Sequence, residues 1–176
     1  LHSDEKQLVQ VRRRGYSFNR LAPYSTLDDY LPEIQRTWAA FVKFANPVLI
    51  RTIRLRYVNR ISVPFEGDDS NASAALKQYM KVGPMWPGET NFALGRFLNQ
   101  SRLVERGTSN RANVVLMTQG TEANKLNLIL DISAWRQEDA EVGDWAAINT
   151  TIKILRTLKN RIFSGSFTKA GLELFQ

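Results

Sequence analysis

The sharpest alternation of apolar and polar positions runs over residues 49–65, LIRTIRLRYVNRISVPF. Ile53, Leu55, Tyr57, Ile61, Val63 and Phe65 fall on one side, and Thr52, Arg54, Arg56, Val58 and Arg60 on the other. A two-residue period in a run rich in β-branched and aromatic residues predicts a half-buried strand. This strand has an oily face and a cationic one. Asn59 interrupts the oily side. A buried amide needs hydrogen-bond partners, so Asn59 is expected to tie the strand to a neighbour or loop, with a ligand contact as the alternative.

Other elements follow from the same reasoning. Residues 7–20 read as a first strand with Val9 and Val11 on one side, interrupted by Arg12, Arg13 and Arg14, with Gly15 marking a bulge or bend. Leu27, Leu31, Ile34, Trp38, Phe41 and Ala45 recur at steps of three and four, the stripe of an amphipathic helix. Pro32 lies within that stripe and predicts a start near it or a kink, and Asn46-Pro47 ends the helix. Ser70 can cap a short helix to about residue 81, burying Ala75, Leu76, Tyr79 and Met80. The irregular GPMWPGET loop follows, with Trp86 read as a lid on the core or a docking aromatic.

Residues 92–105, 111–119 and 125–136 predict three more strands joined by short turns, hence antiparallel neighbours. In the last of them Leu126, Leu128, Leu130, Ile132 and Ala134 face one way, and Asn127, Ile129, Asp131, Ser133 and Trp135 the other. A long helix then begins at a capping Asp144, buries Trp145, Ile148, Ile152, Leu155, Leu158 and Ile162, and ends at Gly165. A short one from about Phe167 closes the chain. The order β-α-β-α-β-β-β-α predicts an α+β fold, an antiparallel sheet of about five strands with the two long helices packed on one face. At 176 residues this is read as a single domain over 1–176, the C-terminal part of a longer chain that begins here at Leu1 rather than Met.

Composition narrows the chemistry. The chain holds no cysteine, which excludes disulfides, thiolate catalysis and cysteine metal sites and agrees with a reducing, cytoplasmic setting. His2 is the only histidine, so histidine-based triads and histidine-ligated zinc have no candidates elsewhere. No glycine pattern for a phosphate-binding loop occurs, and no apolar run approaches the ~20 residues of a membrane span. No catalytic residue, metal or cofactor is expected. The carboxylate that stands out is Asp131, in LILDISAW, where burial would raise its pKa unless an arginine of a neighbouring strand pairs with it.

The net charge of +7 is uneven, with 11 basic against 6 acidic residues up to position 66 and 13 against 11 beyond. Arg54, Arg56 and Arg60, with Arg12 and Arg14, are expected to form one cationic sheet face if their strands lie close together, and Arg96 and Arg102 are candidates to join it. Such a face is solvated, pairs with acidic groups, or binds an anionic macromolecule. With Tyr16 and Phe18 nearby it also suits single-stranded nucleic acid.

The run LRYVNRI, residues 55–61, resembles the hallmark strand of a sporadically distributed prokaryotic family of uncharacterised proteins. LVQVRRRGYSFNR resembles that family's preceding strand, the helix carrying Trp38 and Phe41 sits between the two as expected, and LNLILDIS resembles its late strand. The terminal helix ending near Ile162-Phe163 fits as well. Arg20 stands where the family keeps an aromatic after Asn19, and the family's further N-terminal residues are absent here. The resemblance implies this element order and brings no activity or catalytic residue. The expected function is therefore a non-enzymatic binding or assembly domain using the arginine-bearing face or an open sheet edge. Its partner is macromolecular, a protein ahead of nucleic acid, and homo-oligomerisation remains open. Single-stranded nucleic-acid binding is the alternative, and a carboxylate-dependent hydrolase using Asp131 the third reading.

Overall fold

The computed structural model describes residues 6–12, 15–23, 25–66, 71–85 and 95–175. The protein is α+β, and its chain divides into two compact units: residues 1–51 with 139–149, and residues 52–138 with 150–176.

In the first unit β1 (Gln7–Arg12) and β2 (Gly15–Arg20) form an antiparallel two-stranded sheet, with Val9 opposite Phe18 and Val11 opposite Tyr16. The expected single strand over 7–20 is thus a hairpin with a sheet of its own. The physical reason is the break in alternation at the arginine run, with Arg12 facing Gly15 across the pair. Helix α1 (Leu27–Ala45) packs its apolar stripe on this hairpin. Tyr16, Trp38 and Phe41 form an aromatic triad with ring centroids 5.3–5.8 Å apart. The Tyr16 hydroxyl meets Thr37 Oγ1 at 2.7 Å, and burial pushes its pKa up. Trp38 Nε1 donates to the Val142 carbonyl at 3.0 Å.

Pro32 neither starts nor ends α1. The helix begins upstream, where the Thr26 N–H donates to the Asp29 carboxylate at 3.0 Å and Asp28 and Asp29 occupy the positive end of the helix dipole. That capped start offsets the single hydrogen bond a proline removes. Asn46, in the left-handed region at φ 43°, closes the helix with its N–H on the Val42 carbonyl, and Pro47 follows.

The second unit is built on a four-stranded sheet in the order β3 (Ile50–Pro64), β6 (Lys125–Ala140), β5 (Asn110–Glu122), β4 (Leu98–Val104). The β5–β6 hairpin turns at Ala123 and Asn124, both at positive φ (47° and 60°), the backbone a two-residue primed turn requires. Gly120, at φ 121°, takes the register shift beside Thr118. The strand expected over 92–105 is shorter, 98–104, and residues 92–94 lie outside the described residues.

One face of this sheet is the core. Leu126, Leu128, Leu130, Ile132 and Ala134 of β6 are buried there with Ala112, Val114 and Leu116 of β5 and Ile61 and Val63 of β3. Each fully buried aliphatic side chain contributes about 1.5–3 kcal/mol. Helix α2 (Ala72–Tyr79) adds Ala72, Ala75 and Leu76. Helix α3 (Trp145–Gly165) adds Leu155 and Leu158, with Ile53, Leu55 and Ile162 packed against them. The expectation of long helices on the sheet is met here by α3, while the aromatic contacts of α1 are with its hairpin. Arg161 of α3 pairs with Glu105 after β4, which also accepts from Asn110 Nδ2 at 2.7 Å. The Asn110 and Arg161 hydrogen bonds hold the Glu105 carboxyl below the usual range.

The short α4 (Lys169–Glu173) docks on the end of α2. The Thr168 N–H donates to the Tyr79 carbonyl at 3.0 Å and Thr168 Oγ1 to the Gln78 carbonyl at 2.6 Å. Gly171 sits so close that a Cβ there would lie 2.1 Å from the Tyr79 oxygen. Gly171→Ala is therefore expected to destabilise the protein by about 1–3 kcal/mol, the obstacle being backbone rather than a movable side chain. A urea transition would read this as a lower midpoint with an unchanged slope. An unshifted midpoint contradicts the close approach.

Candidate binding face

The side of the four-stranded sheet opposite the core is set by the same alternation. On β3, Arg54, Arg56, Val58 and Arg60 are exposed where Ile61 and Val63 are buried. On β6, Asp131, Ser133 and Trp135 project with them because Leu130, Ile132 and Ala134 take the core. Strand register carries the face across the sheet in rows. Ser133 lies opposite Asn113, and Asn113 opposite Arg102. One row away Asp131, Val115 and Gln100 align, and beyond them Ile129, Met117 and Leu98.

Contacts between β3 and β6 descend on one strand as they ascend on the other, as an antiparallel pair requires. Ser62 Oγ bonds to Asn127 Oδ1 at 2.7 Å, Asn59 Nδ2 donates to the Leu130 carbonyl at 3.0 Å, and Arg56 reaches Asp131. Asn59 thus performs the strand-tying role its position suggested.

Arg54, Arg56, Gln100, Arg102, Asn113, Asp131, Ser133 and Trp135 line a concavity of about 500 Å³. Arg56 grips Asp131 by both its Nε, at 3.0 and 3.1 Å, and its Nη2, at 2.5 Å. The carboxylate, through hydrogen bonding and then charge, raises the Arg56 pKa above its ordinary value. The Asp131 side chain is only 14% exposed while that of Arg56 is 61% exposed, so the pair is anchored at its acidic end. Two more guanidiniums gather on one ring, Arg54 Cζ 5.2 Å and Arg102 Cζ 5.6 Å from the Trp135 centroid. Each such contact is worth about 0.5–1 kcal/mol at an exposed site. Gln100 Nε2 donates to Asn113 Oδ1 at 2.9 Å. Ser133 is 7% exposed, and its Oγ is buried without a hydrogen-bond partner.

The arrangement offers cationic and neutral donors around a carboxylate that is already engaged. It can hold an anion. Among the described residues no group of three or more histidine, aspartate or glutamate side chains is placed to bind a metal ion.

The candidate residues separate accordingly. Arg54, Arg56 and Arg60 share this face with Asp131, and Arg102 joins them from β4. Arg12 does not, because β1 pairs with β2 in the two-stranded sheet; its guanidinium donates to Gln10 Oε1 at 3.4 Å. Arg14 and Trp86 lie outside the described residues. Arg96 is exposed but precedes β4. Arg20 stacks on Tyr30 at 5.4 Å. Alternation puts Ser133 and Trp135 on the side of Asp131 without marking them as site residues, while Gln100 and Asn113 enter the site only through strand register.

A buried hydroxyl without a partner costs desolvation and returns nothing. Ser133→Ala is expected to leave stability unchanged or raise it by up to about 1 kcal/mol, measured as the urea midpoint. A loss of that size would reveal a hydrogen bond to the hydroxyl.

In comparisons with known proteins, the chain matches no family model, no curated protein and no solved structure, so the functional reading rests on this face.

Proposed function

We propose that this protein is a non-enzymatic binding domain that docks an anionic protein partner on the open face of its four-stranded sheet. The observation that carries the reading is the groove in which Arg54 and Arg102 converge on Trp135, beside an aspartate already neutralised by Arg56. Antiparallel sheets commonly leave one face to water, but a solvated face has no need of a concavity lined by clustered guanidiniums. The neighbouring row of Leu98, Met117 and Ile129, with Val58 and Val115 beside it, favours a polypeptide. Leu98 is 63% and Val58 48% exposed, and aliphatic surface of this kind pairs with apolar side chains rather than phosphodiester.

Binding of single-stranded nucleic acid is the second reading, favoured by the guanidiniums clustered on the face. The two differ in salt dependence, since each phosphate contact on a single strand steepens the slope of log K against log salt by about 0.7. A hydrolase role for Asp131 would require opening its bidentate pair with Arg56, and nothing on the face favours that. A cytoplasmic setting is part of the proposal. No helix among the described residues is long and apolar enough to cross a membrane.

The test is the double variant Arg54→Glu/Arg102→Glu in the full chain, purified from its host with its partners. Both side chains are exposed, so the fold should be retained, with stability lower by no more than the about 1–2 kcal/mol of the two lost ring contacts, while partner affinity falls at least about tenfold, the scale of a central arginine contact. Partner recovery equal to that of the unaltered protein contradicts docking on this face.

A further inference from the structure

The groove carries chemistry more specific than a basic surface. Resting on the docking reading above, we propose that it is a phosphate subsite, which receives a phosphorylated side chain of the docked polypeptide between Arg54 and Arg102, above Ser133.

Charge is the first argument. The groove contains three guanidiniums and one carboxylate, and Arg56 takes that carboxylate with two of its nitrogens. Arg54 and Arg102 remain as two positive charges without an acidic counterpart in the groove. A phosphomonoester carries a charge of about −1.5 to −2 near pH 7, which matches two guanidiniums. A carboxylate carries one and occupies one arginine fork.

The second argument is the hydroxyl. Polar groups that are buried and unpaired are uncommon and call for an explanation. Ser133 Oγ is such a group, on the floor of the concavity and in the row that joins Asn113 and Arg102. A phosphate has three terminal oxygens to satisfy, and a hydroxyl lining the same concavity as Arg54 and Arg102 is a suitable neutral donor. Asn113 directs its carbonyl oxygen to Gln100, so its amide nitrogen is a further donor beside that hydroxyl.

The third argument separates the sources of a phosphate. Trp135 already carries two guanidiniums against its ring, which occupies the surface on which a nucleobase would stack. The row next to the groove, Leu98, Met117 and Ile129, is aliphatic. A peptide flanking a phosphorylated residue can bury apolar side chains there. A nucleotide has none to bury.

Calorimetry with the full chain tests this directly. The probe is a peptide with central phosphoserine flanked by leucine and valine, compared with its serine and glutamate counterparts and a 5′-phosphorylated dinucleotide. The phosphopeptide should bind at least ten times tighter than the other three. Arg54→Gln and Arg102→Gln should each remove most of that preference. Ser133→Ala should weaken phosphopeptide binding several-fold without lowering the thermal midpoint, a combination that a merely structural serine does not give. The preference should also shrink below pH ~6 as the phosphate gains its second proton. Equal affinity for the phosphoserine and glutamate peptides, no measurable phosphate preference, tighter binding of the dinucleotide, or a preference that survives in both Gln variants overturns the proposal. If acidic peptides bind without phosphate preference but are lost in Arg54→Glu/Arg102→Glu, the subsite falls and face docking stands. If neither peptides nor host partners respond to the face variants, both fall.

Discussion

The candidate face depends on one constraint, the registration of β6 between β3 and β5. Leu128, Leu130, Ile132 and Ala134 of that strand are fully covered, and the residues between them point the other way. A slip of one residue would exchange the two sets. It would drive Asp131 into an aliphatic core and expose four core side chains, a cost no rearrangement of the surface could offset. The hydrophobic requirement on one face therefore dictates the positions of Asp131, Ser133 and Trp135 on the other. Polar contacts then secure the neighbour: Asn59 on the Leu130 carbonyl, Ser62 on Asn127, and Arg56 on Asp131.

The same geometry explains why the arginines sit where they do. β3 and β4 are the outer strands of the sheet, and charged side chains on outer strands discourage unwanted pairing with other chains. Arg54 and Arg102 meet that need from opposite edges and still reach inward to the same Trp135 ring. Their guanidinium heads lie over that ring on the face opposite the core.

Much of this architecture was legible in the sequence. The alternation over 49–65 and 125–136 identified both faces of β3 and β6, and Asp131 found the cross-strand arginine that its place in LILDISAW suggested. The α3 stripe was equally plain, since Leu155, Leu158 and Ile162 recur at helical spacing on one side. Less legible was anything set by pairing between distant segments. The arginine run at 12–14 hid a hairpin, because charge interrupts alternation without showing whether a strand bends or turns back. Whether Arg12 shares a face with Arg54 depends on strand pairing, and periodicity within a segment says nothing of which sheet it enters. The groove itself needed two registers at once to bring Arg102, Asn113 and Ser133 into one row.

The central claim, a strand with one face toward the core and the other toward solvent, can be measured at single-residue resolution. The chain lacks cysteine, so single cysteines placed in turn from position 52 to 63 report thiol-labelling rates without background. Fast labelling at 52, 54, 56, 58, 60 and 62, and protection at 53, 55, 57, 59, 61 and 63, is the expected result, with the strongest protection at 61 and 63. Protection recurring every three or four residues, or slow labelling at 54 and 56 in the folded protein, would contradict the account.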